Sequence, residues 1–300
     1  MGNYSDAISK ITKFATSYGT ITTGGGNTSY YATNYYQGET LGDIWGYKTD
    51  RLFTDADFSG NNGAAIPTWV YDANTPNQDK LINGLGNFHY GPGDVKYVDV
   101  NGDGEISPGN SLTNDRGDLV VIGNTTPRYL YSFMASASWK GVDFSFFLQG
   151  VGKHDYWATG SSVVIPGVAG GEPIFANQAD YWTPDNPNAF YPRPGIVGGG
   201  SSNKGNYVPQ TRYLLNMAYL RLKNVTLGYT IPREWTMKKH IDKLRLFASI
   251  ENALTFDHLN GVSIDPEMQL NTPLAITNNR NFGKSYPYFK TYSFGLQVGF

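Results

Sequence analysis

Residues 129–149 read YLYSFMASASWKGVDFSFFLQ. Odd positions carry Tyr129, Tyr131, Phe133, Ala135, Ala137 and Trp139; even positions carry Leu130, Ser132, Met134, Ser136 and Ser138. Successive side chains of a strand point to opposite faces, so this period of two predicts a strand with one aromatic, apolar face and one mostly small, polar face. Lys140-Gly141 is a two-residue turn signal, and after it Val142, Phe144, Phe146 and Leu148 alternate with Asp143, Ser145, Phe147 and Gln149. The stretch is expected to form a β-hairpin.

The same alternation recurs further along. Val225, Leu227, Tyr229 and Ile231 alternate with Asn224, Thr226, Gly228 and Thr230, and Leu244, Leu246, Ala248, Ile250 and Leu254 alternate with Arg245, Phe247, Ser249, Glu251 and Ala253. In the last stretch Tyr292, Phe294, Leu296, Val298 and Phe300 share one face against Thr291, Ser293, Gly295, Gln297 and Gly299. Short connections (Lys140-Gly141, Pro232–Lys243) alternate with long segments rich in Gly, Pro, Asn and aromatics, at about 154–216 and 257–288. Short turns at one end, long loops at the other and strands of roughly ten residues predict an all-β fold, an antiparallel transmembrane β-barrel with long extracellular loops. A soluble β-sandwich also alternates, with strands of about 5–6 residues. In the N-terminal third, Ala7–Phe14 and Leu41–Phe53 are expected to be strands.

Composition agrees with β-structure: aromatics reach 15% while charged residues make up 16%, and there are 36 glycines. A net charge of −2 gives no electrostatic case for nucleic acid. The absence of cysteine excludes disulfides, thiolate metal sites and cysteine nucleophiles. No apolar run is long enough for a transmembrane helix. The start, MGNYSDAISKITKF, lacks the basic and apolar regions of a signal peptide, as expected of a chain that is not exported or of a piece of a longer protein. His89, His154, His240 and His258 are scattered, and no nucleophile–base motif or phosphate-binding loop occurs, so no enzyme activity is expected.

Six stretches then fall in a recognisable order: GETLGDIWGYKTDRLF (38–53), PGDVKYVDVNGDGEI (92–106), VIGNTTPRYLYSFMASASWKGVDFSFFLQGVGKHDYW (121–157), DYWTPDNPNAFYPRP (180–194), AYLRLKNVTLGYTIP (218–232) and the last strand to Phe300. This order resembles the C-terminal part of the SusC/RagA family of TonB-linked outer-membrane transporters. The resemblance implies a plugged barrel in the bacterial outer membrane that imports glycans or peptides. It also implies energy from the TonB complex and a SusD-like lipoprotein over the extracellular mouth. The family's signal peptide, TonB-contacting segment and plug domain are not visible, so residues 1–300 are expected to form the C-terminal part of a larger barrel, with about ten to twelve strands at roughly 25–30 residues per strand and loop. The alternative is a secreted calcium-binding β-sandwich that binds glycans or mediates adhesion.

If Phe300 ends at the periplasmic rim, the short turns become periplasmic and the long loops extracellular. Tyr292, Phe294, Leu296, Val298 and Phe300 then resemble the signal read by the barrel-assembly machinery, and the apolar face meets outer-membrane lipid. Calcium is the candidate ligand of YVDVNGDGEISPGNS (97–111), where Asp99, Asn101, Asp103, the Glu105 carbonyl and Ser107 follow the spacing of an EF-hand loop and Gly104 takes its sixth position. Asn110 stands where the bidentate Glu belongs and no helix flanks the loop, so a sensor is not expected; a metal-free Asx-turn clip is the other reading. Trp157, Tyr181, Trp182, Phe190 and Tyr191 are candidate stacking platforms for sugars, or alternatively pack the loops together.

Overall fold

The computed structural model describes residues 1–15, 17–19, 21, 36–64, 67–82, 88–158, 163–165, 175–194, 204–267, 283 and 286–300. The strands in chain order are β1 (Gly2–Ser5), β2 (Asp43–Gly46), β3 (Thr49–Leu52), β4 (Phe58–Asn61), β5 (Trp69–Tyr71), β6 (Val95–Tyr97), β7 (Val120–Asn124), β8 (Arg128–Trp139), β9 (Val142–Lys153), β10 (Asp155–Tyr156), β11 (Leu215–Thr230), β12 (Lys243–His258) and β13 (Thr291–Gly299). One short helix, α1 (Arg233–Thr236), lies between β11 and β12.

Two regions result. The first is a wall, an antiparallel sheet in the order β1-β8-β9-β11-β12-β13, with β10 paired to the start of β11. β8 and β9 have 12 residues each and β11 and β12 have 16 each. Trp139 pairs with Val142 across the Lys140-Gly141 turn, as the alternation predicts. Both turn residues have positive φ, 46° and 86°, the backbone of a tight hairpin turn.

The second region is a cap at the opposite end of the wall from that turn. Three two-stranded sheets, β2-β7, β3-β6 and β4-β5, surround a hydrophobic core. Ile44, Phe53, Val95, Ile106, Leu119 and Met217 are completely buried in it. Met217 lies at the start of β11, so the core reaches down onto the wall. Tyr191 and Tyr213 stack with centroids 5.7 Å apart, and Phe53 packs against Phe58 at 5.0 Å.

Two buried carboxylates of the cap, Asp57 and Asp94, are each paired with a cation and hydrogen-bonded, which offsets the cost of burial. Asp57 accepts hydrogen bonds from Arg51 Nη1 (2.6 Å) and Nη2 (2.8 Å), Lys96 Nζ (2.8 Å) and the Thr54 N–H (2.8 Å). Asp94 accepts from Arg193 Nη2 (2.6 Å), Asn206 Nδ2 (2.8 Å) and the Gly91 N–H (2.8 Å).

Three sequence expectations are corrected. Ala7–Phe14 is not a strand; the edge strand is Gly2–Ser5, and Lys10 makes only an isolated bridge to Thr40. Leu41–Phe53 is broken into β2 and β3, because Tyr47 leaves the ladder to bond the Pro209 carbonyl. Ten to twelve wall strands do not form among the described residues, because the cap takes much of the chain and the wall receives five strands of nine residues or more.

Candidate functional site

The wall has two chemically opposite faces, fixed by register. On one face Phe133, Ala135, Ala137 and Trp139 of β8 lie opposite Leu148, Phe146, Phe144 and Val142 of β9. Val225, Leu227 and Tyr229 of β11 continue these rows, followed by Ile250, Ala248 and Leu246 of β12 and by Tyr292, Phe294 and Leu296 of β13. A bulge at Lys223 keeps this face apolar. Strict alternation would turn Leu220 and Leu222 inward, but the extra residue returns them opposite Gly150 and Leu148.

Phe144, Leu227, Leu246, Phe256 and Phe294 are all exposed, Phe294 at 84%. An uncovered apolar surface of this extent marks a partner or a membrane. From Val142 to Gly150, at ~3.3 Å per residue and ~40° tilt, the face is about 20 Å tall, of the order of the ~25 Å lipid band of outer-membrane barrels. A sandwich would cover this face with a second sheet; among the described residues the other sheets are the three small ones of the cap.

The opposite face is polar and cross-linked. Near the hairpin turn, Arg245 donates from Nε (2.8 Å) and Nη2 (2.5 Å) to Asp143, reaching across β11. The bridge passes over Gly228, where a Cβ would meet both charged groups at about 2.5 Å. Near the cap, Arg221 donates to Thr255 Oγ1 (2.9 Å), Asp265 (2.7 Å) and Glu267 (2.6 Å), and Lys223 donates to Glu267 at 2.7 Å. The Tyr288 ring lies 5.3 Å from the Arg221 guanidinium and 4.8 Å from Lys223 Nζ. This network clamps the segments after β12 and before β13 to the polar side of β11. Sequence reading passed over it. The available signal was a pair of cations, Arg221 and Lys223, in a strand of a chain with few charges.

The 97–111 loop folds as a chain of Asx turns on the cap surface. Asp99 accepts from the Gly102 (2.6 Å) and Gly104 (2.8 Å) N–H groups, Asn101 from the Asp103 N–H (3.1 Å), and Asp103 from the Glu105 N–H (2.9 Å). The Glu105 N–H and the Asn101 amide hold the Asp103 carboxyl below its ordinary range. Ile106 plugs the loop into the cap core, and Glu105 pairs with Lys80. Ser107 Oγ accepts from the Gly109 N–H at 3.3 Å. Asp118 accepts from the Val100 (2.7 Å) and Ser107 (2.8 Å) N–H groups; its burial pushes the carboxyl up, against the pull of those bonds. Among the described residues no group of three or more His, Asp or Glu side chains gathers at metal-binding spacing. The Asp99 carboxylate and one Asp103 oxygen accept from the loop's own backbone N–H groups, while the other Asp103 oxygen accepts from the Asn101 amide.

The five aromatics separate. Trp157 (1% exposed) and Tyr191 (2%) belong to the cap core, which removes them from any surface platform. Trp182 and Phe190 are half-buried against that core, and Tyr181 is exposed. Trp182 lines a cavity of about 340 Å³ with Trp69, Pro92, Pro184, Pro187 and Arg193. Tyr292, Phe294, Leu296, Val298 and Phe300 share the exposed apolar face at the end of the wall.

No family model matches the chain. Over 271 residues it is 26% identical to TonB-dependent receptor P3 of Formosa agariphila, covering 88% of this chain and 22% of that protein. It is 31% identical over 220 residues to TonB-dependent receptor P26 of the same organism (69% and 20%), and 25% identical over 206 residues to TonB-dependent receptor SusC of Bacteroides thetaiotaomicron (68% and 17%). Its fold matches a chain in the structure of the RagAB peptide transporter with a TM-score of 0.56 at 19% identity, covering 99% of this chain and 26% of that one. An amphipathic antiparallel wall under a packed cap, with these relatives, is that of a part of a TonB-dependent receptor. The chain spans about a fifth of the length of the curated relatives it matches. Within that class it belongs to the SusC/RagA type.

Proposed function

We propose that the chain supplies the C-terminal part of the barrel wall and part of the extracellular cap of an outer-membrane nutrient importer. The observation that carries this reading is the wall itself: five long antiparallel strands with an exposed apolar face and a polar, ion-paired face. The apolar face suits lipid and the polar face a wet lumen. The cap end is then extracellular and the Lys140-Gly141 end periplasmic. In this reading the cargo is a glycan or a peptide, the partner a SusD-like lipoprotein, the energy comes from TonB and insertion is by the barrel-assembly machinery; the TonB-dependent relatives and the RagAB peptide transporter support its TonB and peptide parts. The Asp99–Ser107 loop serves as a structural clip of the cap, and no catalytic role is assigned.

The test is uptake. Deleting the receptor gene should abolish TonB-dependent growth on oligosaccharides or on peptides as sole source while leaving growth on the monomers intact. Unimpaired growth on both would sink the importer reading. Recovery of the protein from the soluble fraction would sink the membrane reading.

A further inference from the structure

The turn end of the wall carries a rim of aromatic and cationic side chains. Trp139 closes β8 at 72% exposure, and Lys140 Nζ sits 4.7 Å from its ring centroid. The neighbouring connection presents Trp235 at 71% exposure, with Met237 exposed two residues on. The two are contiguous: the Thr230 N–H donates to the Gly141 carbonyl at 2.7 Å, and the connection follows at once. Lys140, Arg233, Lys238 and Lys243 are exposed there against two acids, Glu234 and Asp242. Asp242 is taken by Arg233 at 3.0 Å, Lys243 sits on the polar face where it acts on Asp143, and neither Lys140 nor Lys238 forms an ion pair among the described residues. The rim is therefore locally cationic in a chain whose net charge is −2.

From this surface, and resting on the membrane reading above, we propose that the rim binds anionic phospholipid headgroups of the adjoining leaflet. Exposed indoles favour the headgroup level, where an apolar ring and a polar edge are both served. Lysines beside them add attraction for negative lipid, short-ranged because salt screens it. Trp139 and Lys140 are already arranged so that the ring faces the acyl boundary with the ammonium over it. Trp235, Met237 and Lys238 repeat this pairing of apolar and cationic groups on the next connection. Charge complementarity selects the occupant: a zwitterionic lipid satisfies the indoles equally well but leaves Lys140 and Lys238 without a counter-charge.

The test uses the complete receptor in vesicles of phosphatidylethanolamine with a minor fraction of phosphatidylglycerol, bromine being placed on the acyl chains of one lipid at a time. The signal read is the fluorescence that disappears in W235F. Expected is several-fold stronger quenching, per brominated lipid, from phosphatidylglycerol than from phosphatidylethanolamine. In a K140Q/K238Q variant that preference should vanish while quenching by phosphatidylethanolamine persists. Equal quenching by both lipids in the wild type overturns the headgroup proposal and leaves the membrane reading standing. Stronger quenching by brominated lipopolysaccharide overturns it too, since the rim would then face the other leaflet. Absence of quenching by every lipid overturns both readings.

Discussion

The wall and the cap are built from one chain by opposite rules. In the cap, apolar side chains are shielded from water by one another, and Phe53, Val95 and Leu119 are completely buried. In the wall, side chains as apolar as Phe294 and Leu246 face outward, and the charged pairs Arg245–Asp143 and Arg221–Asp265 lie on the polar side. A protein in water cannot use both rules unless a second medium covers the wall. The cap is folded by its own core, whereas the wall depends on what surrounds it, and substitutions should divide the two accordingly.

The largest separation is expected from the cap core. Phe53→Ala leaves a void among Phe58, Tyr71 and Tyr90 and should cost the cap about 3–5 kcal/mol. Limited proteolysis should then cut within residues 36–124 while the wall stays protected. Simultaneous loss of both regions would show that they fold as one unit.

Next comes the wall. Ile250→Lys places a charge on the apolar face at mid-height, in the row of Phe146 and Val225, worth about 2–4 kcal/mol near the middle of a bilayer. Ser249→Lys, on the polar face of the same strand, should change little. Urea unfolding of the receptor in vesicles measures both. Equal costs would break the assignment of faces.

A smaller effect follows from acid. Burial pushes the Asp57 carboxyl up, but the bonds from Arg51, Lys96 and Thr54 outweigh it and hold the group well below the carboxylate range. A carboxyl lowered by folding stabilises the fold above its unfolded pKa, about 4, and that contribution is lost as pH falls toward the folded value. Cap stability should therefore drop below about pH 4. Asp94 and Asp118, which burial pushes up, act in the opposite sense. The comparison is thus between wild type and Asp57→Asn by thermal melting of the cap signal. An unchanged acid slope in the variant would remove Asp57 as its source.

These two rules also explain what could be read in advance. Where one face meets each medium along the whole strand, composition alternates, and β8, β9, β12 and β13 were legible residue by residue. β11 was legible only from its bulge onward, because Lys223 switches parity and nothing local announces the switch. The cap has no such period. Its strands are three to five residues long, and its core takes single residues such as Ile106 and Trp157 from segments that otherwise read as loop. The same mixture made Trp157 and Tyr191 look like surface aromatics. In Gly- and Pro-rich sequence, an aromatic that anchors a core and one that meets a ligand look alike. The clip loop was legible as an alternation of side-chain oxygens with two partners in view, a cation or the loop's own backbone, and sequence alone does not choose between them; the backbone N–H bonds are the ones seen here.

The smallest expected effect lies at that clip, where the cap meets solvent. Asp103→Ala removes the acceptor of the Glu105 N–H and the partner of Asn101 Nδ2, on an exposed turn. Losing such a cap costs about 0.5–1 kcal/mol and is local. Protease sensitivity should rise at 97–118 with no change in the wall, because Ile106 and the bonds between Asn77 and the loop backbone still hold its base. Chelation sharpens the point. A clip closed by its own hydrogen bonds keeps its protection in EDTA, and Asp103→Ala stays as sensitive with calcium as without. Protection of the wild type that disappears in EDTA and returns with calcium would instead make the ion the clasp. Asp99, Asn101 and Asp103 would then meet a shared metal through lone pairs that their bonds from the backbone N–H groups leave free.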